Sequence, residues 1–207
     1  MTARERMRPT RRHIRSAALK LFVAKGSTQL TVSELATAAG VARGTVYNQL
    51  GDGSELFEEV AEHLVQEMSE RLSGIYQDID DPAARMAIGI RHYVRRAHEE
   101  PDWGRFVIRF AYTSGPLQRL WAGGPGENLR LGVQRGRYTV RRSQMRTVLG
   151  MIVGGVLSAM AAVGEGNETW RAAGCDTAEL LLVALGIDRK EARGLASAPL
   201  PPLPKLV

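Results

Sequence analysis

The run Val32-Ser33-Glu34-Leu35-Ala36-Thr37-Ala38-Ala39-Gly40-Val41-Ala42-Arg43-Gly44-Thr45-Val46-Tyr47-Asn48-Gln49-Leu50 reads as two short helices broken by a glycine turn. Leu35, Ala36 and Ala39 share one helical face, Gly40 can take the left-handed conformation a tight turn needs, and Val46 and Leu50 resume the apolar stripe. The small Ala36 lets the second helix cross the first closely, and Val46 plugs the crossing from the other side. This is a helix-turn-helix, and the rest of the chain reads as its support.

Charge points the same way. The chain of 207 residues has 28 basic and 22 acidic residues, a net charge of +6. Through Asp52 there are nine basic residues against Glu5, Glu34 and Asp52, so the first segment carries the whole excess and the remainder is neutral. A charge run is usually a solvated face, but beside this motif a polyanionic partner for the segment is the expectation. Cys175 is the single cysteine, which excludes an intrachain disulfide or a thiolate metal cluster and fits a reducing cytoplasm. No apolar signal segment precedes the first amphipathic pattern. Residues 147–164 are uncharged, at the short limit of a membrane span. Half of them are Gly, Ala, Ser or Thr and no Tyr or Trp flanks them closely, so the stretch reads as a buried interface helix with no membrane partner.

Residues 1–9, rich in arginine, read as an arm along phosphates or a disordered terminus. With Thr10 as N-cap, Ile14, Ala17, Ala18, Leu21 and Phe22 then repeat at helical spacing up to Lys25-Gly26. Thr31 or Ser33 caps the first helix of the motif, and the Thr31 hydroxyl is also within the class of groups that bind phosphate. On the second helix, Val46 and Leu50 point inward. Gly44, Thr45, Tyr47 and Asn48 therefore fall on the open side, behind Arg43, with no acidic residue among them.

The run Leu30-Thr31-Val32-Ser33-Glu34-Leu35-Ala36, then Ala39-Gly40-Val41-Ala42-Arg43-Gly44-Thr45-Val46-Tyr47-Asn48 and Glu55-Leu56-Phe57, resembles the TetR family of bacterial transcriptional regulators over roughly residues 10–60. The resemblance implies an all-α fold: an N-terminal three-helix DNA-binding domain (1–53) and a C-terminal helical ligand-binding and dimerisation domain (54–207), joined by a connecting fourth helix. It implies a homodimer on a palindromic operator, with Thr31, Arg43, Gly44, Thr45, Tyr47 and Asn48 as DNA-binding residues. Two positions depart from the family pattern. Leu50 stands in place of an aromatic, and Gly53 in place of a lysine that grips phosphate.

Ser54 is expected to cap the connecting helix, from Glu55 to about Gly74, with Leu56, Phe57, Val60, Leu64, Met68 and Leu72 buried. Pro82 opens a helix with Met86, Ile90, Tyr93, Val94 and Ala97 inward and His92, Arg95 and Arg96 mostly outward. After Pro101, the residues Trp103, Phe106, Val107 and Phe110 share a face, an aromatic stripe open to a core or a pocket reading. Residues 115–126 are expected to be irregular, apart from one turn holding Leu117, Leu120 and Trp121, and 127–138 helical. Trp103, Phe106, Phe110, Trp121 and Met151 are the candidate ligand-binding residues. Arg135, Arg137, Arg141 and Arg142 form a basic cluster, open to a solvated-face reading or to an acidic ligand.

Two helices close the fold. Ser143 caps the first, to about Gly164, with Gly150, Gly154, Ser158 and Ala162 as a small-residue stripe beside Met151, Ile152, Val156, Met160 and Val163. After an Asn167 cap the second carries Leu180, Leu181, Val183 and Leu185 and stops at Gly186. One protomer can hardly cover both, so Ser143–Gly164 and Glu168–Leu185 are expected to pair with a second copy. A helix from Arg189 to Ala196 and a Pro-rich tail, on the surface or disordered, follow. The expectation is a ligand-responsive repressor released by a small-molecule effector of unknown identity, with no metal or cofactor. An effector-independent dimeric DNA binder and a helical enzyme are the alternatives; His13, His63, His92 and His98 are scattered and form no catalytic or metal-binding spacing.

Overall fold

The computed structural model describes residues 3–50 and 55–204, with side chains for 11–49 and 55–204. Among the described residues there is no strand. The order is α1 (Ala3–Lys25), α2 (Val32–Ala39), α3 (Arg43–Leu50), α4 (Leu56–Tyr76), α5 (Pro82–Glu99), α6 (Pro101–Phe110) and α7 (Gly115–Gln134). A 3-10 turn (Arg142–Gln144), α8 (Met145–Gly164), α9 (Trp170–Ala184) and α10 (Arg189–Ser197) complete it.

The head is built as its apolar spacing dictates. Ile14, Ala18, Phe22, Leu35, Ala36, Ala39 and Val46 are buried together. Thr31 is the N-cap of α2: its hydroxyl accepts from Glu34 N at 3.2 Å while its own N–H donates to Glu34 Oε2 at 2.8 Å, a complete capping box. Gly40 ends α2 at φ 62°, and Val41 N donates to Ala36 O at 3.0 Å, so the chain reverses into α3 as a left-handed cap requires. Helix α1 begins at Ala3, so the backbone of residues 3–9 continues the helix rather than forming an arm capped at Thr10. The Leu50 side chain, Gly53 and the expected Ser54 cap lie outside the described residues. Glu55 occupies the N-cap position of α4.

The body departs from expectation in three places. Helix α7 runs unbroken through the Gly/Pro stretch, with Pro125 inside it. Ser114 caps it, Pro116 sits where a helix tolerates proline, and burial of Leu117, Leu120, Trp121 and Leu129 overrides the poor propensity of its glycines. On α5, His92 and Arg96 are buried rather than outward, because α5 packs against α6, α7, α8, α9 and α10 and has little free face. Arg96 is paired with Glu67 at 2.9 Å and Glu100 at 3.1 Å, and lies 4.5 Å over the Trp103 ring. Finally, Gln144 rather than Ser143 precedes α8, and Thr169 rather than Asn167 caps α9, accepting from Ala172 N at 3.2 Å. The segment 142–164 is long and apolar enough to cross a membrane by length and composition, and its helix packs against α5, α6, α7 and α9.

The tail lies along the body. Leu200 and Leu203 pack on the core, Arg91 Nη1 donates to Ala198 O at 2.6 Å, and Arg71 Nε donates to Pro204 O at 2.8 Å.

Trp103→Ala would remove a fully buried indole together with the cation–π partner of Arg96. It is expected to lower unfolding free energy by about 3–5 kcal/mol in urea titration. His92 is 1% exposed, and the Pro201 backbone approaches its ring without completing a hydrogen bond, so both ring nitrogens lack a full partner. Burial, aided by the Arg95 and Arg91 charges, pushes its pKa down to about 4. That folded value lies below the unfolded one of about 6.5, so the native state resists a proton that the unfolded chain accepts, and stability falls as pH drops through that window. Urea unfolding of wild type and His92→Phe at pH 7 and pH 4 should show the wild type losing about 3 kcal/mol more than the variant.

Candidate nucleic-acid interface and body cavity

The open side of the head is α3. Val46 anchors it at 0% exposure, which turns Arg43, Gly44, Tyr47 and Asn48 to solvent and leaves Thr45 half-buried. A Cβ added at Gly44 would meet nothing within 4 Å, so the helix surface there is open to close approach. Thr31 is exposed, but its hydroxyl is engaged twice by Glu34, accepting from the amide and donating to Oε2 at 2.9 Å. The hydrogen bond from Lys25 at 2.7 Å, then those from Thr31, hold the Glu34 carboxyl down at about 2. Glu34 stays ionised as the brace between α1 and α2.

A second brace joins α1 to α4. Arg11 and Arg15 donate to Glu59 at 2.7 and 2.8 Å; burial pushes the Glu59 carboxyl up, but the two guanidinium bonds outweigh it and its pKa is lowered. Above this pair the rings of α1, α4 and α6 meet. Phe57 stands 5.1 Å from Phe22, 4.9 Å from Phe110 and 5.4 Å from Phe106, two of these contacts edge-to-face. The Arg109 guanidinium covers Gly26 at the end of α1, in the space a side chain there would fill.

Behind this joint the body holds a partly open cavity of about 440 Å³ between α4, α5, α7 and α8. Ser69, Leu72, Ser73 and Tyr76 of α4 form one wall. Arg85, Met86, Gly89, Ile90 and Tyr93 of α5 face them, and Leu120, Trp121, Pro125, Asn128 and Leu131 of α7 with Ile152, Val153 and Val156 of α8 close the rest. Of the five ligand candidates named from sequence, Trp121 lies in this wall. Trp103 lies outside it, 5.9 Å from Tyr93, whose ring is 5.3 Å from Trp121. Phe106 and Phe110 belong to the joint with α1 and α4. Met151 is half-exposed and borders a separate hollow with Val148, Leu181 and Leu185. The residues sequence reasoning missed are Ser69, Ser73, Tyr76, Gly89 and Asn128. The available signals were serines spaced by four beside the α4 apolar stripe, and a glycine in mid-helix on the inward face of α5.

Two members of the basic cluster are tied into ion pairs within the body. Arg135 meets Asp80 at 2.9 Å, and Arg137 meets Asp81 at 2.9 Å and Glu191 at 2.5 Å, tying the end of α7 to the starts of α5 and α10; Arg141 and Arg142 are exposed. The Arg137 bond, and after it the α5 backbone against partial burial, lower the Asp81 pKa.

Residues of this chain are 45% identical over 53 positions to the HTH-type transcriptional regulator AcrR of Shigella flexneri, a match spanning 26% of this chain and about a quarter, 25%, of that protein. The fold is similar to that of RolR in complex with resorcinol, at 25% identity and TM-score 0.63, covering 97% of this chain and 99% of that one. The Bacillus subtilis regulator FadR, in complex with stearoyl-CoA, shares the fold at TM-score 0.70 and 19% identity, covering 85% of this chain and 98% of its own. Residues 14–60 match the description "Bacterial regulatory proteins, tetR family", and residues 81–198, more than half of the chain, match "Tetracyclin repressor-like, C-terminal domain". The chain belongs to the tetR family of bacterial regulatory proteins.

Proposed function

We propose that this chain is a cytoplasmic, non-enzymatic transcriptional repressor that binds a palindromic operator as a homodimer and releases it when a small molecule fills the cavity between α4, α5, α7 and α8. The observation that carries this reading is the placement of α4. Its C-terminal turns form one wall of the cavity, and its N-terminal turn carries both Phe57 and Glu59, which contact α1. A ligand that pushes on Tyr76 or Ser73 therefore acts on a rod of about 30 Å whose other end is fixed to the head. The resorcinol complex of RolR supports an effector role for the cavity.

The division into a DNA-binding domain, 1–53, and a ligand-binding and dimerisation domain, 54–207, follows this mechanics with α4 as the shared element. Arg43, Gly44, Thr45, Tyr47 and Asn48 enter the major groove, and Thr31, whose hydroxyl is spent on the cap, approaches phosphate through the α2 N-terminus. Two such heads sit about 34 Å apart, or a multiple, on successive turns of one DNA face. Switching from nearly full to nearly empty occupancy needs roughly 10⁴-fold preference of the effector for the off-DNA state, about 5.5 kcal/mol.

For the dimer, α8 and α9 pack on each other and leave Met151 and Leu180 exposed at 51% and 61%, beside Gly150 and Ser158. Apolar side chains of that size on neighbouring helices suit a four-helix interface with a second copy. Leu180→Asp is expected to convert the dimer to monomer in sedimentation at micromolar concentration while the helical circular dichroism signal is retained.

Selection from a random duplex library tests the reading: a palindromic consensus is expected, and recovery of unrelated sequences would instead mark an architectural binder. On the selected duplex, Arg43→Ala and Tyr47→Ala should each weaken binding by about tenfold or more. Arg43→Ala should also reduce the slope of log K against log salt by about 0.9 per protomer if it meets phosphate. Unchanged affinity in both variants would remove α3 as the recognition helix.

A further inference from the structure

We propose that the effector is an amphipathic organic anion, a carboxylate whose charged head meets Arg85 and whose apolar body lies toward Tyr93, Trp121 and the aliphatic wall of α8. This rests on reading the α4–α5–α7–α8 cavity as the effector site, and goes further by naming what the site accepts.

Arg85 decides the head group. It is a half-buried cation in the cavity wall, with Nε donating to Ile79 O at 2.5 Å and Nη2 donating to Tyr76 O at 3.1 Å. Both acceptors are backbone carbonyls, so they fix where the guanidinium sits and leave its charge uncompensated. Three of its five N–H groups have no acceptor: both on Nη1 and one on Nη2. Nη1 retains accessible surface, whereas the unpartnered Trp121 Nε1 and Asn128 Oδ1 are sealed from the space. The cation is therefore the strongest donor that a ligand can reach inside the rim, and a carboxylate is the group that takes two such N–H bonds at once.

Nothing in the protein balances that charge. Among the described residues no carboxylate pairs with Arg85, and Asp80 and Asp81, just ahead of it in the chain, are taken by Arg135 and Arg137 at 2.9 Å. The other ionic residues of the lining, Glu127 and Arg130, are of opposite sign, three positions apart on α7 and both exposed, so the lining carries one net positive charge. Burial raises the pKa of Tyr76, with the Arg85 charge pulling the other way, and burial raises that of Tyr93. Both phenols keep their protons and supply no counter-charge. An anion beside Arg85 gains a partner already held in place, and a pair in this half-buried position is screened less by salt than one on the surface.

Shape decides the body. On α5 the lining residues Arg85, Met86, Gly89, Ile90 and Tyr93 follow helical spacing and make one face. Its two ends differ: the cation stands in the first turn, and Tyr93 stands eight residues on, about 12 Å along the axis. The Tyr93 ring lies 5.3 Å from that of Trp121, so two rings close the far end. Across the space, Ile152, Val153 and Val156 of α8 are aliphatic. A ligand that spans this face needs charge at one end and apolar surface at the other, because a second charge placed among the rings would lose its hydration without a partner. At about 440 Å³ the cavity lies toward the small end of the usual 300–1,000 Å³ range for ligand sites, which suits one ring on a short chain.

The experiment is isothermal titration of the purified full-length protein with three probes that share a tail and differ in charge: 4-phenylbutyrate, 4-phenylbutanamide and 4-phenylbutylammonium. The expected result is one 4-phenylbutyrate per protomer, bound at least about tenfold more tightly than the amide, with the ammonium weakest. Arg85→Gln should bring the acid-to-amide affinity ratio close to one, and Arg85→Lys, which restores the charge, should keep the acid preferred. The ratio is read within one variant, so a loosened α4–α5 connection, which weakens both probes alike, does not move it. Ser73→Phe and Val153→Phe fill the space from opposite helices and should each abolish binding of the acid; two variants are used so that misfolding of one, read by circular dichroism, does not decide the matter. Equal binding of acid and amide by the wild type, lost in the filling variants, would overturn the ligand class while leaving the cavity as effector site. An acid preference that Arg85→Gln leaves intact would overturn the role given to Arg85. Binding of the acid that survives both filling variants would overturn the site itself. No binding of any probe by protein that still binds its selected operator would also overturn the proposal.

Discussion

The contact on which the structure depends is the meeting of Phe22, Phe57, Phe106 and Phe110. These four rings come from α1, α4 and α6, with centroid separations between 4.9 and 6.3 Å, and all four are buried. Edge-to-face geometry adds about 0.5–1.5 kcal/mol per pair beyond burial itself. The consequence is mechanical as much as energetic: the head has no apolar core large enough to be indifferent to the body, and it borrows one through Phe57. The exposed and half-exposed ion pairs of Arg11 and Arg15 with Glu59 add little stability by themselves. They fix the rotation of α1 about α4, which the rings alone leave loose.

What the sequence disclosed depended on whether the deciding interaction was local. The helix-turn-helix was legible because its apolar spacing, the Thr31–Glu34 capping box and the left-handed Gly40 all act within a few residues. Helix α7 was not, because local propensity argues against a helix across Gly123, Gly124, Pro125 and Gly126, and only burial of Leu120, Trp121 and Leu129 by distant elements reverses that. The stripe Trp103, Phe106, Phe110 was correctly read as one apolar face, but periodicity cannot say what lies opposite. It is α1 and α4 for the two phenylalanines, and Tyr93 and Arg96 for the tryptophan. For the same reason His92 and Arg96 read as outward: a helix packed on nearly all sides hides polar residues that its own pattern assigns to water.

Charge is partitioned by a related logic. In the body, Arg135 and Arg137 meet Asp80, Asp81 and Glu191, and Asp81 serves at the same time as the N-cap of α5 through its bond to Ala83 N at 3.0 Å. Those charges are consumed in fixing where α5, α7 and α10 begin and end, which leaves little net field around the body. In the head, Glu59 absorbs Arg11 and Arg15 and Glu34 absorbs Lys25, while Arg12, Lys20 and Arg43 stay exposed. The positive excess available to a polyanion is thus smaller than the sequence total and lies on α1 and α3.

The cavity sits between walls of unequal stiffness. On α7, Pro125 has no N–H for the Trp121 carbonyl, and three glycines flank it, so this wall has lost a rung of its ladder where the Trp121 ring borders the space. Helix α4 has no glycine or proline between Leu56 and Ser73; Gly74 interrupts only its last turn, before Tyr76. On the proposed effector reading, a ligand entering past α7 meets the weaker wall first. Once seated, such a ligand would press on Ser69 and Ser73, within the unbroken part of α4. Because a rod that does not bend must rotate or translate as a whole, displacement at its C-terminal turns reaches Phe57 undamped, and Phe57 has no neighbour in the joint that is not also bound to α1 or α6. On the proposed reading, the compliant wall sets what enters and the stiff wall carries that entry toward the recognition helix.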